Sequence, residues 1–169
     1  APLDTLVRKH WGNIAPGTPD EKLATVRRLS NDLRAAAGDA RAGKRLFFTH
    51  CGSCHKLFGE GGALGMDLTA ANRGDRMYLL THIVDPGAFI RKEYVLVRVK
   101  TRDGRMVDGL IAQEDGAGVT LIGANYEKRR LNKAEIASQE ELPSSIMPEG
   151  ILEKLSPQQL RDLFAYLEH

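Results

Sequence analysis

The sequence is poor in cysteine, lacks long apolar runs and carries little excess charge of either sign. Its 169 residues include two cysteines and one tryptophan, and no apolar run approaches the roughly 18 residues of a membrane span. Lysine and arginine number 24 against 22 aspartate and glutamate, so we do not expect nucleic-acid binding. The 42% hydrophobic and 27% charged residues exclude a disordered or collagen-like chain. The composition predicts a soluble globular protein of one domain or one and a half.

The two cysteines stand three residues apart and are followed at once by a histidine, in the run Cys51-Gly52-Ser53-Cys54-His55. This spacing is the attachment signature of c-type haem, in which the two thiols add across the haem vinyl groups as thioethers. The adjacent His55 is then positioned to ligate the iron from one face. The run predicts one covalent haem c, attached through Cys51 and Cys54.

Two other chemistries use a Cys-x-x-Cys spacing. A thioredoxin-like redox dithiol sits at the end of a strand that opens a helix, within a parallel βαβ pattern. Here the residues before Cys51 have a helical pattern and a glycine-rich loop follows. A zinc site would need two more cysteine or histidine ligands at paired spacing, which the sequence does not offer. Both alternatives rank behind covalent haem.

Covalent haem attachment implies a cellular location. It requires reduced thiols and haem delivered outside the cytoplasm, so we expect an exported, periplasmic protein. The sequence starts at Ala1 without a basic n-region and an apolar h-region. We therefore expect either that a targeting segment has been cleaved or that the chain belongs to a longer parent protein.

The first part of the chain predicts a helical extension over residues 1–38. Residues 1–17 suggest a short helix followed by a loop. Residues 18–21, Thr-Pro-Asp-Glu, form a capping box with Pro19 at the first helical position. The helix that follows places leucine and valine on one face, and we expect it to end at Gly38.

Three further helices have clear start signals. Asp39 can cap a helix that runs into the two cysteines, and Asp75 can cap residues 76–84 before Asp85-Pro86-Gly87 ends that helix. Residues 156–159, Ser-Pro-Gln-Gln, form a second capping box ahead of a terminal helix. Between the first two of these helices, residues 57–74 contain five glycines, which suit a loop lying close against something flat and bulky.

From Tyr94 the hydrophobic period changes from helical to two, which predicts strands. Alternating valines precede a turn at Asp103-Gly104, and a second turn falls at residues 115–118. The pattern predicts a small antiparallel β module over about residues 94–131, inserted between the helix ending near Val84 and the segment around Met147. Its strands are expected near residues 95–99, 106–113, 119–122 and 129–131.

Several of these segments together resemble class I cytochrome c. The resemblance rests on Gly43 to Phe47 ahead of the cysteines, the Gly-Met-Asp-Leu-Thr loop at residues 65–69, Met147-Pro148 and the terminal helix, and it covers roughly residues 39–90 and 143–169. With residues 101–105 and 145–150, the chain is similar to a haem-binding domain abundant in planctomycetes and verrucomicrobia. Such domains often form the last domain of multidomain proteins that carry dehydrogenase-like propellers.

The resemblance implies a mainly α cytochrome c fold over residues 39–169, with the β insertion at about 91–141. It implies an electron carrier and not an enzyme. The implied partner is a redox protein, and the candidate for it is a dehydrogenase on the same parent chain. Gly43 would be the contact where Tyr166 or Phe164 of the terminal helix rests on backbone. A loop carbonyl near Met66, where the family usually has proline, would accept a hydrogen bond from His55.

The sixth iron ligand has several candidates. Met147 precedes Pro148 ahead of the terminal helix, as in the ligand loop of the family, and we expect it to ligate. Met77 and Met106 are interpreted as core-filling residues, and Met66 belongs to the loop expected on the His55 side. His82, on a helix, is the candidate for bis-histidine ligation.

Four residues are expected to line the haem pocket, although each also suits a plain core: Phe47, Leu68, Tyr78 and Ile83. A second hypothesis is a haem enzyme or gas sensor with an exchangeable sixth ligand, for which Arg73, Arg76 and His82 are candidate distal groups. A third hypothesis is a docking surface on the β module that uses the basic residues 128–130.

Overall fold

The computed structural model describes residues 3–14 and 17–169, which divide into two units. The β unit is drawn from residues 1–16 and 87–146, and the helical unit consists of residues 17–86 and 147–169. Among the described residues, no helix combines the length and the apolar character needed to cross a membrane. The two cysteines, His55 and Met147 all belong to the helical unit.

The described residues form five α-helices, the first in the β unit and the other four in the helical unit. They are α1 (Leu3–Trp11), α2 (Asp20–Arg34), α3 (Ala40–His50), α4 (Arg76–Val84) and α5 (Pro157–Leu167). The helical unit buries one apolar cluster to which α2, α3, α4 and α5 all contribute. Its members from α2 are Val26, Leu29 and Leu33. These three side chains are at most 5% exposed, so α2 is part of this core.

The predicted caps of α3, α4 and α5 are confirmed. The Asp39 carboxylate accepts the Arg41 backbone N–H at 2.8 Å, and the Asp75 carboxylate accepts the Tyr78 backbone N–H at 3.0 Å. At α5 the Ser156 side chain and the Gln159 side chain each accept the backbone N–H of the other residue, which is a capping box. Each cap satisfies a backbone donor that the first turn of a helix leaves unpaired.

The predicted start and end of α2 are wrong. Pro19 has extended backbone (φ −56°, ψ 147°) and precedes the helix, and among the described residues no side chain caps it. The negative charges of Asp20 and Glu21 lie in the first turn, where their interaction with the helix dipole stabilises the helix. The helix ends at Arg34, before Gly38, where a Cβ would lie 2.1 Å from the Arg161 carbonyl oxygen. The chain therefore leaves the helix early to turn against α5.

The crossing of α3 and α5 depends on Gly43. A Cβ at this position would lie 1.9 Å from the Asp162 carbonyl oxygen and 2.8 Å from the Tyr166 Cβ. No side chain fits in that space, so the glycine lets the two backbones approach. Of the two aromatic residues named for this contact, Tyr166 is the one beside Gly43, while Phe164 is buried in the core at 1% exposure.

The β unit is built on a five-stranded antiparallel sheet. Its strands are β5 (Val97–Thr101), β6 (Met106–Asp115), β7 (Gly118–Ile122), β8 (Lys128–Asn132) and β9 (Ile136–Glu141). Their order across the sheet is β8-β7-β6-β5-β9. Alternate apolar side chains of this sheet form a separate buried cluster: Val97, Val99, Val107, Val119, Leu121 and Leu131. The period-two pattern therefore marks the buried face of the sheet.

Each unit also contains one short strand pair within residues 3–14 and 17–169. The strand β1 (Asn13–Ile14) pairs with β4 (Phe89–Ile90) in the β unit, and β2 (Lys56–Leu57) pairs with β3 (Glu60–Gly61) in the helical unit. Neither pair was predicted, because two-residue strands are too short to show a period.

The predicted four-stranded meander is confirmed, and the sheet has a fifth strand beyond the expected module of residues 94–131. The strand β9 returns beside β5 after a single 3-10 turn at Lys133–Glu135. Its sequence, Ile-Ala-Ser-Gln-Glu-Glu, is polar and mostly exposed, so it has no alternating apolar pattern to reveal it. The α-helices and short 3-10 helices together hold 40% of the chain, and the strands hold 23%. The expected mainly α character therefore describes the helical unit and not the whole chain.

Candidate functional site

The two cysteines and His55 lie in a helical turn that continues from α3. The Cys51 backbone N–H donates to the Phe47 carbonyl at 2.7 Å, which ties the first cysteine to the helix. The Cys54 and His55 backbone N–H groups both donate to the Cys51 carbonyl, at 3.1 and 2.9 Å. Both thiols are free and half-buried. The three functional side chains are thus held on one turn of backbone.

The surroundings of Cys51 do not suit a redox dithiol. Burial raises the pKa of the Cys51 thiol to about 12, and the neighbouring Cys54 adds to the rise. Thioredoxin-type cysteines depend on the opposite effect, a lowered pKa that makes the thiolate available at neutral pH. The predicted alternative of a thioredoxin-like site therefore loses support.

The imidazole of His55 is held by the loop that contains Gly65 and Met66. The His55 Nδ1 lies 2.9 Å from the Met66 carbonyl oxygen. A carbonyl oxygen only accepts, so Nδ1 is the donor, and in this tautomer of the neutral imidazole Nε2 carries the lone pair that can bind a metal. A Cβ on Gly65 would lie 2.6 Å from Cε1 and 2.8 Å from Nδ1 of the same ring. The loop backbone therefore packs directly on the imidazole and fixes its orientation.

Glycines also bring the following hairpin close to the cysteine turn. The Gly62 backbone N–H donates to the Gly52 carbonyl at 2.9 Å, and the Gly65 N–H donates to the Cys54 carbonyl at 2.8 Å. A Cβ on Gly61 would lie 2.3 Å from the His55 carbonyl oxygen. The flat surface expected from the five glycines is thus the His55 ring at Gly65. Gly61 approaches backbone instead, and a Cβ on Gly59 or Gly74 would meet nothing within 4 Å.

The donor set fits a covalently attached haem. Two thiols at the required spacing stand beside a histidine whose Nδ1 donates to a backbone carbonyl, which is the hydrogen bond that metal-bound histidines commonly make. Cys51 and Cys54 would form the thioethers and His55 would ligate the iron. Among the residues that the structure describes, no group of three or more His, Cys, Asp or Glu side chains could hold a metal ion. The zinc alternative therefore has no ligand set there.

The expected pocket residues lie in or against the core of the helical unit. Phe47 is fully buried within the apolar cluster, at 0% exposure. Leu68, Tyr78 and Ile83 are half-buried and pack against that cluster. Their contact with haem stays a prediction, since packing against this core is also what the plain-core interpretation requires.

The methionines differ in exposure. Met147 is half-buried and belongs to the helical unit, together with the cysteine turn. The interpretation of Met77 and Met106 as core-filling residues is wrong, because their side chains are 48% and 58% exposed. On α4 it is Leu79, Leu80 and Val84 that are buried. Met106 belongs to the β unit.

The His82 ring makes the same kind of hydrogen bond as the His55 ring, from Nδ1 to a backbone carbonyl. Its Nδ1 lies 2.8 Å from the Tyr78 carbonyl oxygen one helical turn earlier, and its ring lies 4.1 Å from the Tyr78 ring, centroid to centroid. With Nδ1 as the donor, the neutral imidazole carries its lone pair on Nε2. His82 thus has the chemistry of an alternative ligand.

The two arginines considered as distal groups bind the C-terminal end of α5 and the residue that follows it. Arg73 Nη1 donates to the Leu167 carbonyl at 2.9 Å, and its guanidinium lies 4.8 Å from the centre of the Phe58 ring. Arg76 makes two parallel hydrogen bonds to the Glu168 carboxylate, at 2.6 and 2.7 Å. Such bidentate pairs are geometrically specific. Both arginines therefore join the start of α4 and the segment before it to the end of α5.

Comparison with models of known protein families identifies the family of this chain. The family model for cytochrome c matches residues 40–169. The matched range begins at the first residue of α3 and includes the cysteine turn, His55, Met147 and α5. A search of curated proteins found no match.

Proposed function

The chain belongs to the cytochrome c family, and we propose that it carries single electrons through one haem c bound to Cys51, Cys54 and His55. When bound, the haem supplies an iron that alternates between the ferric and ferrous states. The observation that carries the proposal is the helical turn that presents two half-buried thiols beside a histidine with a free Nε2.

His55 is proposed as the ligand on one face of the haem. The Met66 carbonyl holds Nδ1–H and the Gly65 backbone covers the ring. These contacts restrict rotation of the imidazole, and the hydrogen bond increases its basicity as a ligand. A ligand held in one orientation in both oxidation states limits the reorganisation that accompanies each electron transfer.

Met147 is proposed as the ligand on the other face. It lies in the helical unit with His55, is half-buried, and precedes a 3-10 turn at Leu152–Lys154 that leads to α5. Met66 already contributes its carbonyl to His55, and Met106 belongs to the β unit. A thioether ligand favours ferrous iron and raises the potential relative to bis-histidine ligation.

The partner and location are further parts of the proposal. The five-stranded β insertion, together with residues 145–150, supports a place among the haem-binding domains abundant in planctomycetes and verrucomicrobia. We infer a periplasmic electron carrier that accepts electrons from a dehydrogenase, either a separate protein or part of the same parent chain.

Two measurements on the purified protein test this function. After denaturation and acid-organic extraction the haem should stay with the polypeptide, because thioether bonds survive both treatments. In a separate sample of native protein, reductive titration should consume one electron per chain, reversibly and without turnover of a substrate. Haem that extracts freely, or a protein that takes up no electron, would contradict the proposal.

A haem enzyme or sensor with an exchangeable sixth ligand is the second candidate. The observation in its favour is His82, whose free Nε2 offers an alternative to Met147. Binding of carbon monoxide by the native ferrous protein distinguishes the two functions. A six-coordinate electron carrier should bind it weakly and slowly, whereas a sensor or an enzyme should bind it readily.

A further inference from the structure

Lys22 joins three separate segments of the helical unit. Its ammonium nitrogen lies 2.8 Å from Asp85 Oδ1 and 2.7 Å from Glu149 Oε1. Lys22 lies in the first turn of α2, Asp85 directly follows α4, and Glu149 comes two residues after Met147. One cation thus links α2 and the end of α4 to the segment that carries the proposed iron ligand.

Asp85 keeps the lysine in place. The Asp85 side chain is only 6% exposed, and a buried carboxylate needs a charged or hydrogen-bonding partner. Partial burial alone would lower the pKa of Lys22, but its hydrogen bonds to Asp85 and Glu149 raise it above the ordinary value, so the lysine is charged at neutral pH. Lys22 is therefore a positioned cation and not a freely moving surface lysine.

Fixing the position of Glu149 also limits where Met147 can lie, because the two residues are close in the chain. The Glu149 side chain is 60% exposed, and its ion pair with Lys22 holds it to α2. Pro148 stands between Met147 and Glu149, and its ring fixes one backbone angle. Two residues of extended chain span at most about 7 Å. Anchoring Glu149 therefore confines the region that Met147 can reach.

We propose that Lys22 is a positioning residue for Met147, which it holds toward the iron through Glu149. The proposal rests on the proposed function, in which Met147 is the sixth ligand. Lys22 lies outside the residues matched by the cytochrome c family model. The helix α2 would thus contribute to ligand positioning as well as to the core.

Imidazole binding to the ferric protein measures this restraint. Imidazole reaches the iron only when Met147 leaves, so the apparent affinity increases when the Met147 segment opens more often. Glu149→Gln removes the anchor but leaves Asp85 paired with Lys22. The variant should bind imidazole roughly two- to fivefold more tightly, the range expected for one exposed ion pair.

Three control variants separate positioning from general charge effects. Glu153→Gln removes the same charge from a residue lining the same shallow cavity as Lys22, and it should leave the imidazole affinity within about 1.3-fold of the native value. In a Lys22→Gln background, Glu149→Gln should have no further effect. In a Met147→Ala background it should also have none, because no methionine remains to be displaced.

Two results would contradict the positioning role of Lys22. Equal effects of Glu149→Gln and Glu153→Gln would overturn the positioning role, and so would an effect of Glu149→Gln that persists in the Met147→Ala background. Failure of the proposed function is seen separately. In that case native protein and Met147→Ala would bind imidazole equally well and would share one ferric spectrum, whatever residue 149 is.

Discussion

The Nδ1 atom of His55 lies 2.9 Å from the carbonyl oxygen of Met66, eleven residues further along the chain. The resemblance to class I cytochrome c led us to expect such a bond, although this chain has methionine where the family usually has proline. The bond needs only a backbone carbonyl, which any residue supplies. The substitution therefore changes the stiffness of the loop and keeps the contact that orients the imidazole.

Replacement of Gly65 by alanine should disturb the His55 ring. The new Cβ would lie 2.6 Å from Cε1, and the ring is held by its hydrogen bond and, in the holoprotein, by the iron. We expect a loss of about 1–3 kcal/mol in the free energy of unfolding, as for overpacking elsewhere. Urea denaturation of the holoprotein measures it. Gly74→Ala is the control, because a Cβ there meets nothing within 4 Å; equal losses in the two variants would show that the Gly65 contact is unimportant.

Replacement of Gly43 by alanine should separate α3 from α5. The Cβ would lie 1.9 Å from the Asp162 carbonyl oxygen, which is backbone and cannot rotate away. The expected loss in the free energy of unfolding is about 3 kcal/mol or more, at the upper end of overpacking effects. Thermal unfolding compared with Gly116→Ala, at an open site in the β unit, checks this. A native-like melting temperature for Gly43→Ala would refute the close crossing.

Removal of the Met147 side chain should change the iron environment. Met147→Ala should abolish the weak long-wavelength sulfur-to-iron band of the ferric protein and admit small ligands such as imidazole. The potential should fall, on the order of 0.1–0.3 V within the roughly 0.8 V range set by axial ligands. The sign follows because a thioether prefers ferrous iron and because water stabilises the ferric state. Met147→His should stay six-coordinate and also have a lowered potential. An unchanged spectrum in Met147→Ala would move the assignment to His82 or Met77.

The β unit should lose stability in acid. The hydrogen bond from Arg98 lowers the pKa of Asp108 below its ordinary 3.8. The unfolded chain then binds more protons than the folded one, so this contribution is present above about pH 4 and is lost as the pH falls through the lower folded pKa. Asp108→Asn should reduce the acid-induced loss in the free energy of unfolding by up to about 1 kcal/mol, since the pair is exposed. Urea titrations of the full chain between about pH 6 and pH 2.5 measure it. A pH dependence as steep as that of the native protein would contradict the assignment.

Short-range signals in the sequence predicted the caps of α3, α4 and α5, because a cap involves residues only two or three positions apart. The strand β9 escaped prediction because its polar residues gain their structure from pairing with β5, a contact far along the chain. The start of α2 was misplaced because Pro19 suits both the residue before a helix and its first position.

The candidate site also combines residues that local spacing reveals with contacts between distant residues that it does not. Cys51, Cys54 and His55 are contiguous, so their spacing alone indicates the chemistry. The Lys22 contact with Glu149 joins residues 127 positions apart, and no local pattern marks it. The packing of Gly65 on His55 was suggested only in outline, by a glycine-rich loop that needs a flat surface to lie against.

The absorption spectrum of the purified protein in both oxidation states tests the central claim most directly. We predict the spectrum of a covalently bound c-type haem, six-coordinate in the ferric and ferrous forms, with the weak sulfur-to-iron band in the ferric form alone. Such a spectrum would report attachment at Cys51 and Cys54 and ligation by His55 and Met147 together. A protein without haem absorption, or a five-coordinate haem spectrum without the sulfur band, would contradict this account.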